Sequence, residues 1–277
     1  MKKTSIFYLY LSILFILSSC TPAVKEEGEN NNIPTYKPLI IAHRGASEIE
    51  PEHTFLSYDR AEKDGADYIE IDLRQTEDGQ LVAIHDEDVD RITDGSGMVE
   101  NLTLEELKHL HVDKDQEILT LQEIVNHYGD SVHYYIETRT DSEGNIGMEE
   151  QLVSILNSKD LIKSKRVIIE SFSEESMKKI HELNNDIPFV RLLRKAEVQE
   201  LDDDTMQHIK NYAIGVGIYA GSVDADLVRK IHDYNLQLHV YYYDDEKNLT
   251  DKMLDLRVDG IFTNNPDYAI SEVGSLN

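Results

Sequence analysis

The 277-residue chain contains no tryptophan and a single cysteine. One thiol excludes an internal disulfide framework and any cysteine-built zinc cluster. Basic residues are scarce, 27 Lys and Arg against 54 Asp and Glu, giving a formal charge of −27. Such a chain repels nucleic-acid backbones, so a phosphate-tracking DNA or RNA binder is excluded and no nucleic acid is expected among its partners. The apolar run at residues 6–17 falls short of the roughly 20 residues a bilayer-spanning helix needs. Against these absences stand 40% hydrophobic residues, enough to bury a sizeable core and to exclude global disorder. With indole missing, aromatic surface comes from fifteen Tyr and six Phe. The length exceeds one small domain and fits one large α/β barrel. An excess of carboxylates also suits oxygen-preferring cations.

The lone cysteine stands in an informative place. Lys2 and Lys3 precede the apolar run, and Leu17-Ser18-Ser19-Cys20 follows it. A charged start, a short apolar stretch and small residues before a break make a secretory signal. Cysteine directly after the small residues resembles a bacterial lipobox, in which that cysteine is acylated and becomes the first mature residue. The expectation is therefore a signal peptide over residues 1–19 and a lipid on Cys20. The protein would be exported and anchored by lipid to a bacterial membrane, outside the cytoplasm. Residues 20–37 hold two prolines, Pro22 and Pro34, with acidic and Asn runs and no apolar period. They read as a flexible tether.

From residue 38 onward the chain keeps a rhythm. Short β-branched or aromatic runs occur at 39–42, 68–73, 81–84, 133–136, 166–170, 189–193, 213–218, 236–243 and 260–263. Helix-like stretches such as 174–184 and 224–234 lie between most of them. Strands alternating with helices imply parallel βαβ units, and this number of them implies a (β/α)₈ TIM barrel over residues 38–277. Nine runs exceed eight strands by one. Thr76-Glu77-Asp78-Gly79-Gln80 carries Asp-Gly, a favoured hairpin turn, so the run at 81 is read as a return arm of the second strand. A tight turn centred on Asp78-Gly79 would place His85 directly across from Asp72. Residues 89–117 break the rhythm and read as an inserted loop plus a short helix. Within it Thr103 is expected to cap a short helix, with Glu106 completing a capping box.

In such barrels chemistry sits where strands end. The first strand ends in His43-Arg44-Gly45, the second carries Glu70-Ile71-Asp72, the return arm ends in His85-Asp86, and the fourth run ends in Glu137-Thr138-Arg139. Residues two apart on a strand share a side, so Glu70 and Asp72 project together. If Glu137 points the same way, three carboxylates converge. Unpaired, they repel strongly in a partly dry cleft, and a divalent cation resolves the repulsion. Oxygen ligands favour Mg²⁺ or Ca²⁺ over zinc.

Ile40-Ile41-Ala42-His43-Arg44-Gly45, Pro51-Glu52-His53-Thr54, Glu70-Ile71-Asp72-Leu73 and His85-Asp86 together resemble the glycerophosphodiester phosphodiesterase family. Thr120-Leu121-Gln122-Glu123, Ser171-Phe172 and residues 259–266 resemble its later blocks. The resemblance spans about residues 39–267. It implies a phospholipase-C-like barrel, with a small insertion over about residues 87–119, that hydrolyses a glycerophosphodiester to an alcohol and glycerol 3-phosphate. It further implies that Glu70, Asp72 and Glu137 bind a divalent cation, Ca²⁺ or Mg²⁺. His43 and His85 would be the catalytic acid/base pair, with their division of labour left open. Arg44 and Arg139 would hold the phosphate, Arg139 standing where the family usually has Lys. The substrate's own glycerol hydroxyl is admitted as first attacker, giving a cyclic phosphate that water opens. This agrees with elementary chemistry, since imidazoles exchange protons near neutral pH and guanidinium groups clamp phosphoryl oxygens.

Three further departures from the family pattern stand out. His53 replaces the usual Asn, read as a changed hydrogen bond rather than a third catalytic imidazole. Tyr241 stands in place of the usual Trp and keeps an apolar platform against the substrate. Asn264 replaces a usual Asp. The expected partner is a small glycerophosphodiester or a glycerophosphate polymer. Two other readings remain on the sequence alone. One is a metal-dependent sugar-processing barrel, which would need more ligands at later strand ends. The other is a surface-binding lipoprotein without turnover, which would have no use for an acid/base pair.

Overall fold

The computed structural model describes residues 36–275. The expected signal peptide, Cys20 and the tether as far as residue 35 lie outside the described residues.

Among the described residues nine strands form one sheet: β1 (Leu39–Ala42), β2 (Tyr68–Gln75), β3 (Leu81–Ala83), β4 (Tyr134–Thr138), β5 (Val167–Ser171), β6 (Phe189–Leu193), β7 (Gly215–Tyr219), β8 (Gln237–Tyr241) and β9 (Gly260–Thr263). Their order is β1-β9-β8-β7-β6-β5-β4-β2-β3, and β1 also pairs with β2. That extra pairing closes eight parallel strands into a barrel, while β3 runs antiparallel to β2 on its outside. The expected (β/α)₈ barrel is therefore present, and the run at 81 is the return arm. No helix among the described residues is long and apolar enough to cross a membrane.

The register of the return arm differs from expectation by one residue. Gln75 pairs with Leu81 and Leu73 with Ala83, and Asp72 faces Ile84, whose N–H donates to the Asp72 carbonyl. The reason lies in the turn. Thr76 O accepts from Gly79 N–H, and Thr76 Oγ1 accepts from Gln80 N–H at 2.8 Å. A five-residue loop, 76–80, thus replaces the two-residue turn and shifts the pairing. Gly79 takes φ +77°, as its place in the loop requires.

Two apolar layers hold the barrel. The outer layer packs helices on strands, and the inner one is a small plug of Ile41, Tyr135, Ile168, Val190 and Phe262. Strand alternation places Glu137 and Arg139 above Tyr135, and Glu170 and Phe172 above Ile168, at two-residue steps along the same face. The barrel interior is thus apolar at its floor and charged at the carboxyl ends of its strands. The insertion has its own core, in which Val89, Val99, Leu107, Val112 and Ile118 pack on Val82 and Ile84. Its helix begins as expected, with Thr103 Oγ1 accepting from Glu106 N–H and the Glu106 carboxylate taking the Thr103 N–H. Thr120 and Glu123 repeat that box at the helix Leu121–Tyr128.

Candidate active site

After β1 the chain turns sharply. Arg44 takes φ +58° and Gly45 φ +82°. A Cβ on Gly45 would stand 2.4 Å from Ser57 Oγ, so only glycine fits. The turn aims the Arg44 N–H at Glu70 Oε2, 2.7 Å away. It also sets the His43 ring against Asn264, whose Oδ1 lies 2.7 Å from His43 Nδ1. The residue in place of the family's usual Asp thus holds one of the two candidate catalytic imidazoles. An amide oxygen only accepts, so Nδ1 carries the proton and Nε2 is the free nitrogen.

His85 is oriented in a parallel way. Its Nδ1 lies 2.7 Å from Asp86 Oδ1, and Asp86 Oδ2 takes Arg91 Nε at 2.5 Å. Arg91 projects from the insertion and also grips both oxygens of Glu52 at 2.8 Å. Glu52 in turn lies 3.3 Å from the Arg44 guanidinium. A chain of charges therefore ties the insertion to both histidine-bearing loops.

The carboxyl groups form a row. Asp72 is level with Glu137, and Glu137 with Glu170, across β2, β4 and β5. All are buried, as is Glu70. Arg139 bridges the first two: its Nη2 lies 2.9 Å from Asp72 Oδ1 and 2.8 Å from Glu137 Oε2. Asp72 Oδ2 receives His53 Nε2 at 3.0 Å, while His53 Nδ1 meets Tyr58 OH at 2.9 Å. His53 is thus a buried support for Asp72, as its reading as a changed hydrogen bond requires. Glu170 was not foreseen. Its Oε2 is buried and reaches no partner. Reading the end of the run at 166–170 as the other strand ends were read would have found it. Arg91 left no such signal, because loops carry no register.

Electrostatics follow from crowding. Burial and the Asp72 charge push the Glu70 carboxyl well above the usual range. Burial, opposed by Arg139, brings Glu137 up to about 8. Burial and the charges of Glu137 and Glu70 raise Glu170 as well. Burial acts on Asp72 too, but Arg139, His53 and Arg44 outweigh it and hold Asp72 well below the ordinary carboxylate range. Burial and Arg44 lower His43 to about 3. Burial lowers His85 to about 4, with Arg139 and Arg44 opposing the Asp72 charge. Both imidazoles are therefore neutral near pH 7.

Four buried carboxyls face two guanidinium groups, Arg44 and Arg139. Fully ionised, they leave a deficit of two positive charges, which one divalent cation matches. Ligand atoms of His43, Glu70 and Asp72 lie within 4.8 Å of one another, while the Glu137 carboxyl is held on Arg139. The carboxylates of this set fit a hard cation.

These groups open into one cavity of about 300 Å³. His43, Arg44, Glu70, His85, Glu137 and Arg139 line its polar side. Phe172, Tyr241 and Tyr243 line the other, Phe172 and Tyr241 meeting edge to face at 6.4 Å. The structure thus brings together every sequence-derived candidate of the barrel, with Asp72 set behind Arg139.

Known proteins resemble this chain along most of its length. The model of the glycerophosphoryl diester phosphodiesterase family matches residues 43–268. A glycerophosphodiester phosphodiesterase of Bacillus subtilis is 37% identical, over 96% of this chain and 97% of that protein. A crystal structure of the Agrobacterium tumefaciens glycerophosphodiester phosphodiesterase superposes with a TM-score of 0.70 at 25% identity, covering 84% of this chain and all of that one. An Oleispira antarctica phosphodiesterase, solved in complex with its product sn-glycerol-3-phosphate, gives a TM-score of 0.72 at 23% identity, over 86% of this chain and 98% of that one.

Proposed function

The chain belongs to the glycerophosphoryl diester phosphodiesterase family, and on that premise we propose that it hydrolyses small glycerophosphodiesters by metal-assisted acid/base catalysis. The observation that carries this reading is the convergence of His43, His85, Arg44, Arg139 and the carboxyl row on one cavity. Family membership favours neither the sugar-processing barrel nor the surface binder without turnover.

Glu70, Asp72 and Glu137 would hold the divalent cation. Bound there, it neutralises charge on the phosphoryl oxygens. Arg44 and Arg139 supply further positive charge to the same oxygens, in the fork geometry that suits phosphate. An oxygen nucleophile, water or first the glycerol hydroxyl, attacks phosphorus and the bond to the head-group oxygen breaks. One imidazole, entering neutral, takes the nucleophile's proton; the other, protonated as the anionic phosphodiester binds beside it, delivers one to the departing alkoxide. Each ring presents its Nε2 for this, because Nδ1 is engaged by Asn264 or Asp86. The products are the free alcohol and glycerol 3-phosphate, after a cyclic phosphate has been opened where the hydroxyl attacked first.

The leader residues support the further proposal that Cys20 carries lipid and holds the enzyme outside the cytoplasm. Mass spectrometry of membrane-extracted protein tests it, an unmodified Cys20 counting against it. For the reaction, glycerol 3-phosphate release from glycerophosphocholine is the assay. His43→Ala and His85→Ala are each expected to lower kcat by about 10²–10⁴-fold with folding intact, and EDTA to abolish turnover. Retained turnover in both variants would refute the acid/base assignment.

A further inference from the structure

Glu170 has no part in the reaction as described. Its side chain is 2% exposed, its Oε2 has no hydrogen-bond partner, and it lines the catalytic cavity. A buried polar atom without a partner is costly, and in a native site it calls for an explanation. Three ligands could supply one. A phosphate oxygen is better served by the Arg44 and Arg139 guanidinium groups that line the same cavity. The cation is disfavoured by position, because Glu170 is the member of the carboxyl row farthest from Asp72, which groups with Glu70 and His43. Glu170 stands two strands away from Asp72 in the row, with Glu137 between them. A cationic head group would vary among substrates and leave through the open mouth, where Tyr243 is 66% exposed. Glu170 lies deeper, one step below Phe172 on the same strand face. A fixed group deep in a rigid barrel suits the part of the substrate that does not vary.

We propose that Glu170 is the specificity residue for the glycerol moiety, its carboxyl taking a hydroxyl of the bound glycerol phosphate. This rests on the phosphodiesterase reading above. It makes Glu170 a binding group that is left without a partner until substrate arrives.

The test compares glycerol 3-phosphate with propyl phosphate, the same anion without hydroxyls. Calorimetric affinities are measured in the presence of Mg²⁺ or Ca²⁺ for the wild type, Glu170→Leu and Glu170→Gln. The wild type is expected to prefer glycerol 3-phosphate by about tenfold or more. In Glu170→Leu the preference should fall below about threefold through loss of glycerol 3-phosphate affinity, propyl phosphate being unaffected. Glu170→Gln keeps a donor and an acceptor and should retain most of the preference. An unchanged preference in Glu170→Leu overturns the proposal. So does a cation affinity weakened about tenfold in either variant, which would put Glu170 on the ion. Thermal melting without ligands gives a third reading: removing an unpartnered buried carboxyl should leave the melting temperature level or higher. A marked drop in both variants would assign Glu170 a structural role and overturn the proposal. Should the wild type neither bind glycerol 3-phosphate nor hydrolyse glycerophosphocholine, the phosphodiesterase reading itself fails. Where it does both and only the preference refuses to move, the Glu170 assignment fails alone.

Discussion

At the scale of single residues, the site depends on side chains that never touch substrate. His53 joins Asp72 to Tyr58 from a fully buried position. Its φ of +56° shows the backbone bent to deliver the ring. Hydrogen bonds to buried charged groups contribute about 1.5–3 kcal/mol. His53→Ala should therefore lower stability by about 2 kcal/mol in denaturant unfolding, and weaken cation affinity measured by calorimetry. Full retention of both would remove His53 from any supporting role. His53→Asn, the residue the family usually carries, can reach Asp72 or Tyr58 but not both, and should fall between. Gly45 is the strictest position, because Gly45→Ala meets both a positive φ and the Ser57 hydroxyl.

Elements differ in how openly the sequence announces them. β1, β6 and β9 end where the β-branched and aromatic runs end, since their flanking residues cannot extend a buried strand. The carboxyl-end residues His43, Glu70, Asp72 and Glu137 were legible because barrel chemistry sits at strand ends and strand alternation fixes their direction. The return arm was legible as an arm but not in register, because the Thr76 hydroxyl captures Gln80 N–H and lengthens the loop. The insertion hid most. Arg91 lies on an irregular segment, and only the fold brings it to Glu52, 39 positions away in sequence. Its bonds hold Asp86, and through Asp86 the His85 ring. Arg91→Ala should therefore reduce kcat by about tenfold, a fraction of a full acid/base contribution. KM should change less, and Arg91→Lys should recover part of the loss. Equal loss in kcat and gain in KM would mean that Arg91 serves substrate binding instead. Thr120→Ala, a cap remote from the cavity, should cost about 1 kcal/mol of stability and leave turnover unchanged.

For the whole molecule, the charge of −27 and the buried carboxyl row make stability a function of pH and of divalent cations together. Glu137 titrates near 8 in the fold and near 4.3 in the unfolded chain. Its contribution is fully present below about 4.3 and is lost as pH rises through about 8. Glu70 and Glu170 are raised too and act in the same direction. The histidines act oppositely. His85 titrates near 4 and His43 near 3 in the fold, against about 6.5 unfolded. Their neutrality stabilises the fold above about 6.5 and is progressively lost as pH falls toward 4. Without divalent ions the melting temperature should therefore peak between about pH 5 and 7 and decline toward pH 8.5. A cation bound by ionised carboxylates removes the alkaline penalty, because it competes with the protons for the same oxygens. The rise in melting temperature on adding Mg²⁺ or Ca²⁺ should be larger at pH 8.5 than at pH 6, and Glu137→Gln should flatten the decline between them. Equal rises at the two pH values would mean that the ion settles on surface carboxylates and leaves the barrel row protonated.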